Sequence, residues 1–392
     1  MNTPAVGQGV WAELVGQERA VEVLRRAVTG ERHAMTHAWL VTGPPGSGRS
    51  NAARAFAAAL QCPTGGCGHC NDCRTSLSGA HPDVTLVRTE QLSIGVDEVR
   101  EYVRRAAMSP TKGRRQVIVV EDADRVTDRG ADALLKAIEE PAPKTVWLLC
   151  APSAEDVIVT IRSRCRQLQL ATPRDDAVAE LLVRRDGIDL ALASHAARAA
   201  QGHIGRARVL ARNEEARNRR HQVLQIPGQL SSVGACLTAA DNLVKAATDE
   251  ATKATAEIDQ KERAELEQAL GFGAKGARPR NAQAAMKDLD DQQKARAKRL
   301  QRDALDRVLT ELTTWYRDVL SLQTHGIDPS AATGAHLINA DLRSQLEKQA
   351  RACTAERTLR RIDAILACRE ALETNVAPLL AMEAMLLSLG ER

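Results

Sequence analysis

Aromatic side chains are scarce in this chain. Four Trp, two Tyr and two Phe make up 2% of 392 residues, so a platform of stacked rings for single-stranded nucleic acid is not expected. No run of 18 apolar residues occurs, and Met1-Asn2-Thr3-Pro4 lacks the basic and apolar regions of a secretory signal. The protein is therefore read as cytoplasmic, with no membrane partner. An excess of one charge is missing too. Fifty-four Lys and Arg against 50 Asp and Glu leave a formal net charge of +4, so any basic footprint is local. There is no internal repeat. What is present, 44% hydrophobic residues over 392 positions, is enough for a core divided among two or three domains.

Nine cysteines in a reducing compartment need a use other than disulfides. Cys62, Cys67, Cys70 and Cys73 fall within twelve residues, and Gly65, Gly66, Gly68, Asn71 and Asp72 supply the turns that bring them together. Four thiolates at this spacing form a closed tetrahedral shell for a structural Zn²⁺, with no open position for catalysis. His69 is surplus to that shell and is read as a solvated loop residue.

Strands and helices alternate over the first 170 residues. Apolar runs at Ala38 to Thr42, Val84 to Val87, Val117 to Val120 and Val146 to Cys150 are separated by helical stretches at Ser50 to Gln61, Asp97 to Met108 and Arg129 to Glu139, and a last short strand, Gln167 to Leu170, closes the region. Runs without alternation imply a parallel sheet covered by helices on both faces. Strands disappear beyond Pro173. The expected domains are an α/β module at 1–172 with its zinc insert at 62–73, a small helical lid at 173–215, and an all-α domain at 216–392. Within the last, about 246–301 is charged and poor in large apolar residues, and reads as two solvated helices with a flexible break at Gly271 to Pro279. The alternative there is a basic arm for DNA built on Arg278, Arg280, Lys294, Arg296, Lys298 and Arg299.

Three constellations carry chemistry. Gly43-Pro44-Pro45-Gly46-Ser47-Gly48-Arg49-Ser50 fits the phosphate-binding pattern G-x-x-x-x-G-K-[ST] except at Arg49, where a compact ammonium is replaced by a longer planar fork. ATP or ADP with Mg²⁺ can still bind such a loop, but efficient hydrolysis is not expected. The plainer reading is a strand-to-helix turn. Glu121-Asp122 follows an apolar strand where a nucleotide hydrolase places a magnesium carboxylate and then a water-polarising one, but the two acids stand in reversed order. They could equally end the strand in solvent. Ser163-Arg164-Cys165, placed at the end of a second apolar strand, offers an arginine for a neighbour's γ-phosphate.

Together with Val15-Gly16-Gln17-Glu18, His37-Ala38, Ala133-Leu134-Leu135-Lys136 and Glu139-Glu140-Pro141, these motifs resemble the bacterial sliding-clamp loader subunits of the AAA+ class. The resemblance implies a ring-like pentamer on a helical collar that loads the ring-shaped clamp onto primer-template DNA in replication. Its partners would be gamma/tau and delta subunits, the sliding clamp, and DNA held through phosphate contacts without sequence preference. Arg49, the reversed acids, and Ala151-Pro152 in place of a threonine sensor favour the non-motor delta-prime branch. So do the run Arg360 to Leu389, with Leu372-Glu373-Thr374-Asn375-Val376, and the lack of a long following extension. The alternative is an ATP-hydrolysing gamma/tau-type subunit. By the same resemblance Arg164 is the arginine finger in trans, and Arg206, in Gly202-His203-Ile204-Gly205-Arg206-Ala207-Arg208, holds the second-sensor position.

Overall fold

The computed structural model describes residues 7–89, 93–270, 282–325, 337–374 and 376–391. Two compact units divide between Asn213 and Glu214. The first begins with α1 (Glu18–Thr29), then β1 (Ala38–Thr42), α2 (Arg49–Gln61), α3 (Asn71–Ser78), β2 (Val84–Val87) and α4 (Val96–Ala106). It continues through β3 (Gln116–Val120), α5 (Asp128–Glu139), β4 (Thr145–Ala151), α6 (Val159–Arg162) and β5 (Arg166–Gln169). The strands form one parallel sheet in the order β2-β3-β4-β1-β5, with Val41 opposite both Cys150 and Leu168, and Val87 opposite Val120.

The sheet's position follows from its side chains. Every residue of β1, β3 and β4 is buried, because helices cover both faces, whereas β5 at the edge buries only Leu168. On one face Trp39 meets Phe56 of α2 edge-on, ring centroids 5.2 Å apart. Ala52, Ala53 and Ala55 to Ala59, except Phe56, keep α2 thin enough to lie close against the strands. The other face packs Leu40, Ile118, Trp147 and Leu149 against Leu134 and Ile138 of α5. The Thr127 hydroxyl caps α5 by accepting from Gly130 N–H, and Pro141 follows its end, as a residue that cannot continue a helix.

The basic turn Lys112 to Arg115, which feeds β3, is held by two buried polar side chains. Asp83 accepts the backbone N–H groups of Thr111 at 2.6 Å, Lys112 at 2.8 Å and Gly113 at 2.5 Å. Gln61 accepts from Arg114 N–H at 2.9 Å and donates to the Arg115 carbonyl at 2.6 Å. A Cβ on Gly113 would fall 2.3 Å from Gln61 Oε1, so only glycine allows this approach.

Three short helices close the first unit: α7 (Asp175–Asp186), α8 (Leu190–Ala200) and α9 (Ile204–Arg212). The second unit is helical among its described residues: α10 (Glu214–Gln225), α11 (Val233–Ala269), α12 (Ala282–His325), α13 (Arg343–Ala352), α14 (Ala355–Glu373) and α15 (Pro378–Gly390). Its core gathers Leu305, Leu309, Leu312, Tyr316, Met382 and Leu386. A buried polar network ties Arg220 to Glu311 at 3.0 Å and Asp318 to the N–H groups of Ile338 and Asn339.

The charged segment is two long helices, as expected, and they lie side by side. Ala247, Ala251 and Thr255 are buried every fourth residue along α11, and Arg296 of α12 reaches Asp259 at 2.9 Å and Glu262 at 2.8 Å. Arg296 is thereby committed to its neighbour helix, and Lys294 and Arg299 stand near Asp291 and Asp303, which speaks against a free basic arm. The expected break at Gly271 to Pro279, with Arg278 and Arg280, lies outside the described residues, as does Asn375.

Asp83→Ala leaves three backbone donors of the β3 turn without their acceptor, and is expected to lower stability by about 2–3 kcal/mol in denaturant unfolding. The three N–H groups outweigh burial and hold the Asp83 carboxyl below its ordinary range. Its contribution is therefore complete above about pH 4 and is lost as pH falls through the lower folded value. The variant should lose less stability on acidification than the parent.

Candidate functional site

The phosphate loop runs from the end of β1 to the start of α2, so the first N–H groups of α2 face its concavity. Gly43 donates to the Pro152 carbonyl at 3.1 Å, and Ser47 N–H to that of Pro44 at 3.1 Å. The loop then turns its cation on itself. Arg49 Nη1 donates to the Gly43 carbonyl at 2.6 Å, spending on the loop's own backbone the charge that a lysine would present to phosphate.

Two further contacts cover the loop. At Gly46, where φ is 81°, a Cβ would fall 2.1 Å from Cγ of His203 and 2.4 Å from its Nδ1, so the imidazole lies directly on the glycine. The Ile204 N–H also donates to the Gly46 carbonyl at 3.4 Å. His203 caps α9 by accepting from the Arg206 N–H at 3.2 Å. Burial first, and then the cations Arg206 and Arg49, hold its imidazole below the ordinary histidine value. Beneath the loop, buried Gln17 brackets Ala171, donating to its carbonyl at 2.7 Å and accepting its N–H at 3.0 Å, and reaches the Ser47 carbonyl at 3.4 Å. Ser47 Oγ is buried with no hydrogen-bond partner, a feature that suits a phosphate oxygen. Gly48 and Ser50 stand at the start of α2. With Arg49 and His203 both engaged, the residues present fit a bound nucleotide poorly.

Glu121 neither ends its strand in solvent nor stands free for a magnesium ion. It is 9% exposed, and its Oε1 accepts from Arg54 Nε at 2.7 Å and Nη2 at 2.6 Å. The arginine comes from α2, one turn beyond the loop. Asp122 follows at the strand's end, its carbonyl accepting from Arg125 N–H at 3.1 Å. Nearby Asp124 is pushed up, by burial first and then by the charge on Asp122. Arg54, Asp124 and the covering role of His203 were not singled out from the sequence.

Arg164 requires a correction. The sequence reading put Ser163-Arg164-Cys165 at the end of a strand, but the triplet follows α6 and immediately precedes β5. Because β5 runs parallel to β1, with Thr42 opposite Gln169, Arg164 and the phosphate loop lie at opposite ends of the strands, one at the edge of the sheet where strands begin and the other at the edge where they end. Five residues of extended chain separate them by on the order of 15 Å along the strands, more than an arginine side chain spans. Arg164 lies there 2.6 Å from Glu139 at the end of α5 and 2.8 Å from the Thr160 carbonyl, with 40% of its side chain exposed. Burial pushes the neighbouring Cys165 thiol up to about 12, so it is no nucleophile.

The four cysteines converge. Their sulfurs lie within 4.8 Å of one another, with pairs at 3.7, 3.8 and 4.0 Å. Four ligands about 2.3 Å from one ion stand about 3.8 Å apart, so the set fits tetrahedral Zn²⁺. Backbone N–H groups of Cys67, Gly68, Cys70 and Cys73 point at the sulfurs at 3.3–3.4 Å, as thiolates require. Zn²⁺ held by Cys62, Cys67, Cys70 and Cys73 would supply a cross-link and no chemistry. Cys62 closes α2 and Cys73 lies in α3. Between them, the Gly66 carbonyl accepts the Val10 N–H at 3.0 Å and so fastens the segment before α1. The exposed His69 ring bonds the Cys67 carbonyl.

Two measurements check this description. Cys73→Ser, or a strong chelator, should release zinc as read by elemental analysis and lower Tm by at least roughly 5 °C. Because the folded His203 binds a proton less readily than an ordinary histidine, the unfolded chain gains protons first as pH falls below about 6.5, and stability drops there. In thermal melts from pH 7.5 to 5.5, His203→Gln should flatten that dependence.

Comparison with known proteins agrees with these motifs. Residues 16–174 match the family described as DNA polymerase III, delta subunit. The chain is 36% identical over 161 residues to DNA polymerase III subunit delta' of Pseudomonas aeruginosa, covering 40% of this chain and 49% of that one. With DNA polymerase III subunit gamma/tau of Mycobacterium tuberculosis it shares 34% identity over 201 residues, 45% of this chain and 34% of the relative. With subunit delta' of Bacillus subtilis it shares 28% over 216 residues, 54% of this chain and 64% of the relative. The chain thus spans less than two thirds of each of these relatives. Residues 16–174, which carry the phosphate loop, the cysteine cluster and the Ser-Arg-Cys triplet, are thus similar to the DNA polymerase III delta-subunit family.

Proposed function

We propose that this protein is the delta-prime subunit of a clamp loader, a non-motor member of an AAA+ heteropentamer with gamma/tau and delta subunits. Its module at 1–172 and lid at 173–215 hold a fixed shape. Its helices at 216–392 join the collar, and Arg164 completes an ATP site on the adjacent subunit. The assembly loads the sliding clamp onto primer-template DNA, which it meets through phosphates. Arg206 keeps the second-sensor position but acts within a lid already closed over the loop.

One observation carries this reading. The cation of the chain's own loop is bound to its own backbone, while Arg164 projects from the opposite edge of the sheet, beyond reach of that loop. An arginine in that position can meet only a phosphate held by another molecule, where it stabilises the charge that spreads over the transferring group. The intact glycines, buried Ser47 and likeness to a gamma/tau relative favour the second reading, an ATP-hydrolysing gamma/tau-type subunit. Against it stand Arg49 and the Arg54–Glu121 pair, in which the loop's cation and the first of the two acids are already engaged within the chain.

With the gamma-type partner and clamp present, Arg164→Ala should slow single-turnover ATP cleavage at the completed site by on the order of a thousandfold without dissolving the complex. The purified chain alone should show no turnover, and Arg49→Lys should not restore it. Brisk hydrolysis by the partner-free chain, or an Arg164→Ala complex as fast as the parent, would overturn the reading.

A further inference from the structure

The edge of the sheet that bears Arg164 also carries an open depression of about 410 Å³, outside the nucleotide-type site. Met35 and His37 line it from the chain before β1, Arg115 from the turn before β3, and Pro141, Pro143 and Lys144 from the connection between α5 and β4. None of its lining residues is acidic. Arg115 is fixed at its backbone, where Gln61 holds the carbonyl at 2.6 Å. Its guanidinium is partly buried, and burial pulls it below its ordinary range; among the described residues no carboxylate pairs with it. A partly desolvated cation without a counter-charge is unfavourable until an anion meets it. Lys144 adds a second cation from a left-handed backbone conformation, φ 67°, that a side chain rarely adopts. Strain of this kind persists where the surroundings impose it, often at functional positions.

Three features select the anion. The depression is too open to enclose a small molecule, as ligand pockets do. Glu139 and Glu140 directly precede Pro141, so a polyanion such as a DNA backbone would meet two carboxylates at the rim. A single carboxylate on a protein surface meets neither obstacle: it enters between the cations while its stem packs on the prolines. Glu139, two residues before Pro141, also holds Arg164 at 2.6 Å, so Arg164 and the depression lie at the same end of the strands.

We propose that this depression receives an Asp or Glu side chain of the adjacent ATP-hydrolysing subunit, bound between Arg115 and Lys144, and that it docks the face from which Arg164 acts. The inference rests on the assembly proposed above. It divides the edge into two tasks: Arg115 and Lys144 bind, and Arg164 assists the reaction.

The test measures affinity of the full chain for the gamma-type subunit by fluorescence anisotropy across a salt series. It compares the parent with Arg115→Gln, Lys144→Glu and Arg164→Ala, with thermal melts alongside. Arg115→Gln and Lys144→Glu should each weaken binding by at least about tenfold and flatten its salt dependence, with single-turnover cleavage in the saturated complex unchanged. Arg164→Ala should show the reverse, slow cleavage with affinity retained. Lys144 is exposed, so its variant reports even if Arg115→Gln destabilises the fold. Parent-like affinity and salt dependence in the Lys144→Glu chain, with Arg164→Ala still slow, would sink this inference and leave the assembly standing. A parent chain that does not bind the partner would sink both. Loss of affinity for primer-template DNA alone would overturn it in favour of a nucleic-acid contact.

Discussion

Every strand pairing in the first unit is parallel, and that single directionality decides where its chemistry can lie. All strands end at one edge, which gathers the glycine loop after β1, the acids after β3 and Ala151-Pro152 at the close of β4. All strands begin at the other, which gathers Arg115, Lys144 and Arg164. The strands between are buried on both faces, so the two edges communicate only through a packed core. No side chain belongs to both, and a residue's edge fixes whether it can serve this chain's pocket or a neighbour's.

The first edge is satisfied internally, group by group. Arg49 spends its charge on the Gly43 carbonyl, Arg54 neutralises the buried carboxylate of Glu121, and His203 packs on Gly46. An unpaired charge at such depth is expensive, so each pairing makes the closed arrangement the favourable one for these residues. Replacing the loop arginine alone would leave the Arg54–Glu121 pair and the covering imidazole in place. The second edge differs: Arg164 remains partly exposed, and Arg115 has no counter-charge among the described residues.

Much of this was legible in the residues. Apolar runs without alternation gave away the parallel sheet because burial on both faces removes the need for polar positions. The cysteine spacing foretold a cluster because ligand geometry constrains so few residues so tightly. α1 and α3 were passed over. The first keeps only Val21 and Leu24 as large buried residues among charges, and the second begins inside the cysteine insert, where glycines read as loop. The placement of Ser163-Arg164-Cys165 went wrong because α6 spans only four residues, too few for a helical period to emerge from the pattern. Arg54 and His203 escaped notice for another reason: their partners lie 67 and 157 positions away along the chain, a separation that local spacing does not encode.

The paired helices α11 and α12 hold their outer stretch together with guanidinium–carboxylate contacts and small residues, where the inner stretch has a full apolar core. Contacts of that kind are screened as ions are added, whereas buried leucines are not. Added salt therefore loosens the contact between the two helices along the outer stretch first and leaves the leucine-packed inner stretch as it was.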